Sequence, residues 1–321
     1  MAMLGNLCGG AVGIILLYYG AEFLVKGGVA LANRMKISPL VIGLTLVAFA
    51  TSAPEMVVSI DAALKDMGDI SVGNIVGSNI CNIALILGLC AVITPLRVNR
   101  ALFRLDVPLM ILSALLFTVF YWFSTGINRV QALIFFLGIV AYTAWSVYAS
   151  KREARRNPAL VKEAEESIGT GKAVGVGLAV IFVAVGLAGL VGGAKLFVNS
   201  AVYLAKLLSV SDAVIGLTIV AVGTSLPELA TSVVAAIKGE KDIAIGNVIG
   251  SNIFNILAIM GVAPLFRPIY APGISWVDMG MMIFCSLALF PIMKTGGVIS
   301  RREGAFLLLI YAGYTVYLIR L

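Results

Sequence analysis

Two stretches decide how this chain folds: GLTLVAFATSAPEMVVS at 43–59 and GLTIVAVGTSLPELATS at 216–232. Each puts a glutamate directly after a proline inside a long apolar run. A charge taken out of water is costly and more so in lipid, so each carboxylate needs a partner or a water-filled cavity. The surrounding runs extend over 39–64 and 212–237, and both exceed the roughly 18 apolar residues that suffice to cross a bilayer.

Further out, the same character continues. The 321 residues are 60% hydrophobic and 12% charged, which excludes a soluble core under a polar surface. Ten runs read as transmembrane helices: 8–31, 39–64, 70–94, 105–124, 129–149, 173–204, 212–237, 243–263, 273–293 and 303–320. The net charge of +7 does not indicate nucleic acid, because the basic residues sit in short connections between spans. Connections after the odd-numbered spans hold 16 Lys and Arg and the opposite side holds five, Lys65, Arg129, Lys206, Arg267 and Arg320. The positive-inside rule then sets both termini outside a cell (inner) membrane and the 151–172 loop in the cytoplasm. The first span lacks a basic leader and an obvious cleavage site, so it is expected to be retained. Cys8, Cys81, Cys90 and Cys285 show no CxxC spacing and read as small apolar residues.

The chain is written twice. At a constant offset of 173, residues 39–88 and 212–261 are identical at 27 of 50 positions. The halves are 1–150 and 173–321, joined by the polar linker 151–172. Five spans per half is an odd number, so the second half enters the membrane upside down relative to the first. The fold class is an all-α polytopic membrane protein of ten helices in two inverted five-helix repeats, an architecture that puts a substrate site near the midplane between repeats.

The best-matched positions are polar. Thr51, Ser52 and Glu55 recur as Thr224, Ser225 and Glu228. Pro54 and Pro227 cannot donate to the carbonyls of Ala50 and Gly223, and their rings open those turns. Freed carbonyls within a membrane must be satisfied by protein, water or an ion. A carbonyl, a hydroxyl and a carboxylate in one turn make a hard-oxygen set, suited to Na⁺ and Ca²⁺. In GNIVGSNICNI (73–83) and GNVIGSNIFNI (246–256), Asn74, Ser78 and Asn82, and again Asn247, Ser251 and Asn255, recur every four residues as one polar stripe. Asn79 and Asn252 lie off it and are expected to bond across helices or cap a break. Gly73, Gly77, Gly246 and Gly250 read as close-packing positions. Glu22 and Lys26, four apart, are expected to pair, and Asp61 reads as peripheral. With no histidine and no GxxxxGK[ST] stretch, histidine-based metal enzymes and ATP-driven pumping within this chain are excluded, and the chain reads as no enzyme.

GLTLVAFATSAPE with GNIVGSNICN, repeated as GLTIVAVGTSLPELATS with GNVIGSNIFN, resembles the two alpha repeats of the sodium/calcium exchanger family of the cation/calcium exchanger superfamily. The likeness is specific over 39–88 and 212–261. It implies a monomeric, lipid-embedded antiporter that needs no cofactor and exchanges Na⁺ for Ca²⁺ by alternating access, extruding Ca²⁺. It also implies that Glu55 and Glu228 are the central ligands, that Thr51, Ser52, Thr224 and Ser225 assist, that the stripe asparagines and serines line four clustered cation sites, and that spans 1 and 6 slide over a static core. Relatives often carry an aspartate where this chain has Asn82 or Asn255, which leaves two carboxylates. The alternatives are a Ca²⁺/H⁺ or K⁺-dependent exchanger using the same glutamates and, further off, a cation channel.

Overall fold

The computed structural model describes residues 2–156, 175–208 and 221–320. Helix α1 is Ala2–Met35; α2 (Pro39–Thr51) and α3 (Ala53–Leu64) follow, then α4 (Gly68–Ile93), α5 (Asp106–Ser124) and α6 (Arg129–Arg156). The second half brings α7 (Val176–Leu207), the short α8 (Ala221–Thr224), α9 (Leu226–Ile237), α10 (Lys241–Phe266), α11 (Trp276–Lys294) and α12 (Arg301–Ile319). Among the described residues seven helices are long and apolar enough to cross a membrane, and α2 with α3, bent by 46°, makes an eighth if taken as one span. Of the expected span 212–237, residues 212–220 lie outside the described residues, as do 157–172 of the linker. Residues 151–156, expected in that linker, continue α6 instead. Lys151, Arg152, Glu153 and Arg155 are exposed and helix-favouring, so the helix runs on into water.

The second span breaks because of its sequence. Ser38 caps α2, accepting from the Val41 amide at 3.3 Å with Pro39 in the first turn. The helix then widens into a π-turn at Gly43–Val47, stops at Ser52, and restarts with Pro54 in the first turn of α3, where a missing N–H does no harm. Further π-turns occupy Cys81–Leu87 of α4 and Asn255–Ile259 of α10. These two helices form the centre. Their most apolar stretches are 78% and 89% buried, against 33% or less for the other long helices. The rest expose Val, Leu, Phe and Trp outward, as helices solvated by lipid do.

Two short antiparallel strand pairs clasp the centre. Leu96–Arg97 (β1) pairs with Val298–Ile299 (β4), and Gly126–Ile127 (β2) with Ile269–Tyr270 (β3). Tyr121 adds a hydroxyl bond to the Ala271 carbonyl at 2.6 Å. Asp106 and Tyr142 (2.9 Å), and Asp278 and Tyr314 (2.7 Å), join neighbouring helices in each half.

Helices α1 and α7 are a separate matter. With 34 and 32 residues they measure about 51 and 48 Å at 1.5 Å per residue, well beyond the hydrocarbon layer. They lie antiparallel with their backbones almost touching. A Cβ at Gly20 would stand 2.8 Å from the Leu190 nitrogen, and one at Gly186 2.5 Å from the Leu24 nitrogen. Gly13, Gly20 and Gly27 are seven apart and so share a face, opposed by Gly193, Gly186 and Ala179 in reverse order. Gly246 and Gly250 make a similar approach to α2, where a Cβ at Gly250 would lie 2.6 Å from the Leu44 carbonyl. The surface that would match Gly73 and Gly77 in the duplicate register falls on 213–221, mostly outside the described residues.

The expected Glu22–Lys26 pair does not form. Glu22 instead takes the ammonium of Lys238, at the end of α9, at 2.5 Å. Lys26 stands 5.0 Å from the centre of the Phe182 ring on α7, whose π-face attracts a cation that few polar groups could reach in lipid. Asp61 is peripheral, paired with Lys65 at 2.7 Å in an exposed position.

Gly186→Ala should lower the melting temperature of the detergent-solubilised protein, since overpacking costs about 1–3 kcal/mol. Gly192→Ala, on the open side of α7, has nothing within 4 Å and should leave it unchanged.

Candidate cation site

The break in the second span turns the start of α3 toward the centre. Glu55 there is 0% exposed, and Glu228, at the equivalent place in α9, is 1% exposed. Each is gripped from the other half. Ser52 Oγ donates to Glu228 Oε1 at 2.9 Å, and Ser225 Oγ donates to Glu55 Oε1 at 3.2 Å. Ser225 also lies 3.3 Å from Ser78 Oγ, tying α4 into the same network.

The upper asparagines of the stripes brace this arrangement. Asn247 Nδ2 donates to Ser232 Oγ at 2.9 Å and to the Glu228 carbonyl at 3.4 Å, while its Oδ1 accepts from Thr51 Oγ1 at 3.0 Å. Asn74 repeats the pattern, donating to Ser59 Oγ (3.0 Å) and the Glu55 carbonyl (3.2 Å) and accepting from Thr224 Oγ1 (3.4 Å). Their amide oxygens already hold hydroxyls, so Asn74 and Asn247 set the geometry of the turns bearing the glutamates.

The lower asparagines differ. Asn82 Nδ2 donates to Asn252 Oδ1 and Asn255 Nδ2 to Asn79 Oδ1, each at 3.1 Å across the two central helices. The oxygens of Asn82 and Asn255 take no hydrogen bond. Among the described residues the buried side-chain oxygens in this condition are Glu55 Oε2, Glu228 Oε2, Asn82 Oδ1, Asn255 Oδ1, Ser251 Oγ and Thr231 Oγ1, with Ser146 Oγ elsewhere. Natural interiors leave few buried polar atoms unmatched, and all but Ser146 here lie on α3, α4, α9 and α10, the helices that carry the glutamates and the asparagine stripes. Among the described residues Lys65 pairs with Asp61, Lys238 with Glu22 and Arg267 with Asp66, and neither Glu55 nor Glu228 has a Lys or Arg partner. Two buried carboxylates with oxygen neighbours and no basic side chain suit a hard cation and are a poor setting for soft metals.

Of the residues expected to line a site, hydrogen bonds join Glu228, Ser52, Asn247 and Thr51 in one set and Glu55, Ser225, Ser78, Asn74 and Thr224 in another, while Asn82 and Asn255 bond to Asn252 and Asn79 instead. Ser251 is buried in the same segment of α10, and Ala50 and Gly223 are buried one turn before the glutamates. A cavity of about 650 Å³, lined by Lys36, Leu40, Arg104, Trp145 and Ser150 among others, includes none of these residues. The sequence reading missed Ser59 and Ser232, although both lie four residues after a glutamate, on its helix face, and match at the offset of 173. Thr231 had no such signal, because its counterpart is Val58, exposed to the outside.

The chain is similar to known proteins over most of its length. Residues 6–148 and 167–320 match the sodium/calcium exchanger protein family. The sodium/calcium exchanger MaX1 of Methanosarcina acetivorans is 36% identical over 342 residues, covering 96% of each chain. The inner membrane protein YrbG of Escherichia coli is 37% identical over 261 residues, 80% of this chain and 78% of that one. A structure of the sodium-calcium exchanger NCX_Mj, soaked with zero Na⁺ and Ca²⁺, superposes with a TM-score of 0.82 at 32% identity, covering 98% of both chains.

Ser59→Ala and Ser232→Ala each remove the hydroxyl that holds an upper asparagine. Each should cost about 1 kcal/mol of stability in thermal melts. Val58→Ala, beside Ser59 and facing outward, should not.

Proposed function

This chain belongs to the sodium/calcium exchanger family of integral membrane transporters, and from that premise we propose that it is an antiporter exchanging Na⁺ for Ca²⁺ by alternating access, normally extruding Ca²⁺. The observation that carries the reading is the concentration of unmatched buried oxygens on Glu55, Glu228, Asn82, Asn255 and Ser251. Glu55 and Glu228 are the central ligands, Ser52 and Ser225 hold them in place, and the neutral oxygens complete the shell without adding charge. Ser78, Thr51, Thr224, Asn74 and Asn247, with the carbonyls of Ala50 and Gly223, belong to the same ligand region. Two carboxylates balance one Ca²⁺ or two Na⁺, so the ions exclude each other from shared ligands. Without either ion, moving two bare carboxylates between faces is opposed by their desolvation, which couples the two fluxes and argues against a channel.

The contacts support ten crossings in two inverted halves, 1–150 and 173–321. Counting spans from the N-terminus, β1 follows the third and β4 the ninth, whereas β2 follows the fourth and β3 the eighth. Each pair joins connections of equal parity, as membership of one membrane face requires. Arg267 with Asp66, and the Ser38 amide with Ser150 Oγ, obey the same rule. With the basic bias of the odd connections, this reading leaves both termini outside the inner membrane and 151–172 in the cytoplasm.

The test is ⁴⁵Ca²⁺ uptake into proteoliposomes loaded with Na⁺, K⁺ or acidic buffer. Uptake driven by outward Na⁺, and reduced to background by Glu55→Gln or Glu228→Gln, is expected. Uptake driven by a pH gradient alone would replace Na⁺ with H⁺ in the proposal, and no Ca²⁺ movement under any gradient would overturn it. Protease added from one side should cut the 151–172 loop only from the cytoplasmic face.

A further inference from the structure

An amide has two ends of similar shape and opposite chemistry, and only one of them attracts a cation. Asn82 and Asn255 are useful ligands only with the carbonyl turned to the site. What fixes that choice is a pair of relays, each crossing between the halves. Asn255 Nδ2 donates to Asn79 Oδ1 at 3.1 Å, and Asn79 Nδ2 in turn donates to Met282 Sδ at 3.7 Å. In the mirror relay, Asn82 Nδ2 donates to Asn252 Oδ1 at 3.1 Å, and Asn252 Nδ2 donates to Met110 Sδ at 3.7 Å. All six residues are buried; Met110 and Met282 are each 1% exposed.

The direction of each relay is set at its far end. A thioether accepts a hydrogen bond and cannot donate one. It therefore keeps the NH₂ end of Asn79 or Asn252 toward itself and the carbonyl toward the next asparagine. That carbonyl then keeps the NH₂ of Asn255 or Asn82, leaving the unmatched Oδ1 directed away from the relay. A hydroxyl in place of the sulfur could serve either orientation and would fix nothing. We propose that Asn79 with Met282, and Asn252 with Met110, are positioning residues that hold the amides of Asn255 and Asn82 carbonyl first and so set how many neutral oxygens the site offers. Ca²⁺ takes six to eight oxygens, so it is the ion more dependent on them. The inference rests on the reading that Asn82 and Asn255 are ligands.

Proteoliposome transport with varied Ca²⁺ and Na⁺ tests it. Asn79→Ala should raise the KM for Ca²⁺ about tenfold, with the maximal rate and the half-effective Na⁺ concentration within about threefold. Met282→Leu, which conserves volume, should shift the KM the same way by about threefold. A carboxylate has no wrong end, so in an Asn255→Asp background Asn79→Ala should change the KM less than about twofold. A packing role would give equal losses in both backgrounds, and that result overturns the proposal. If Asn255→Ala leaves the KM unchanged, the ligand reading itself fails. If Asn255→Ala raises it while Asn79→Ala is silent, only the positioning role fails. Should Asn79→Ala not fold, an unchanged KM in both Met282→Leu and Met110→Leu overturns the proposal on its own.

Discussion

A carboxylate in the middle of a membrane has to be compensated, and most of this structure can be traced to doing so twice in one place. Glu55 and Glu228 are buried among helices, and Ser52, Ser225, Asn74 and Asn247 bond to their side chains or backbone carbonyls. The hydroxyls of Ser52 and Ser225 occupy one oxygen of each, and the other oxygen takes no hydrogen bond. The break at Ser52, the proline after it and the asparagine braces all place a carboxylate where a straight apolar helix would have placed a methyl group. The lipid-facing helices carry no comparable burden and are correspondingly plain.

Two kinds of packing surround the site. The centre is locked by cross-helix amides, strand pairs at its ends and tyrosine to aspartate bonds. The long α1 and α7 meet one another through glycine backbones, with Phe23 stacked on Phe182 beside them. Directional bonds hold a geometry to within tenths of an ångström, whereas flat glycine faces hold two helices together as one body. The centre and the α1–α7 pair are therefore held by contacts of different kinds.

Much of this was legible in the sequence because duplication labels what matters. Apolar drift had blurred the lipid faces, while TSxPE and GNxxGSNxxN stood out at a constant offset. The stripe spacing gave the lower asparagines their common face. What the sequence hid was of three kinds. The π-turns at Cys81–Leu87 and Asn255–Ile259 have no residue signature, since they arise from packing. Glu22 looked satisfied by Lys26 one turn away, but a cation from another helix, Lys238, won. The glycines of α1 were lost among many small residues, and their spacing of seven acquires meaning only once α7 is known to lie against them. The methionine sulfurs behind Asn79 and Asn252 were invisible for a similar reason, because Met110 and Met282 stand among apolar neighbours in sequence and read as lipid or core residues.

The exchange of serines between the halves has a consequence for the chain as a gene product. Each glutamate is steadied by the opposite copy, and each lower asparagine is oriented by an amide of the opposite copy, so neither half contains the whole arrangement. A chain severed between the copies would leave each glutamate without the serine that bonds it, and both bonds would return only on reassembly. Any ancestor with a single copy would have had to meet a second molecule of itself before these bonds could form, and fusion would have made that encounter permanent and freed the copies to diverge, as Thr231 and Val58 have done.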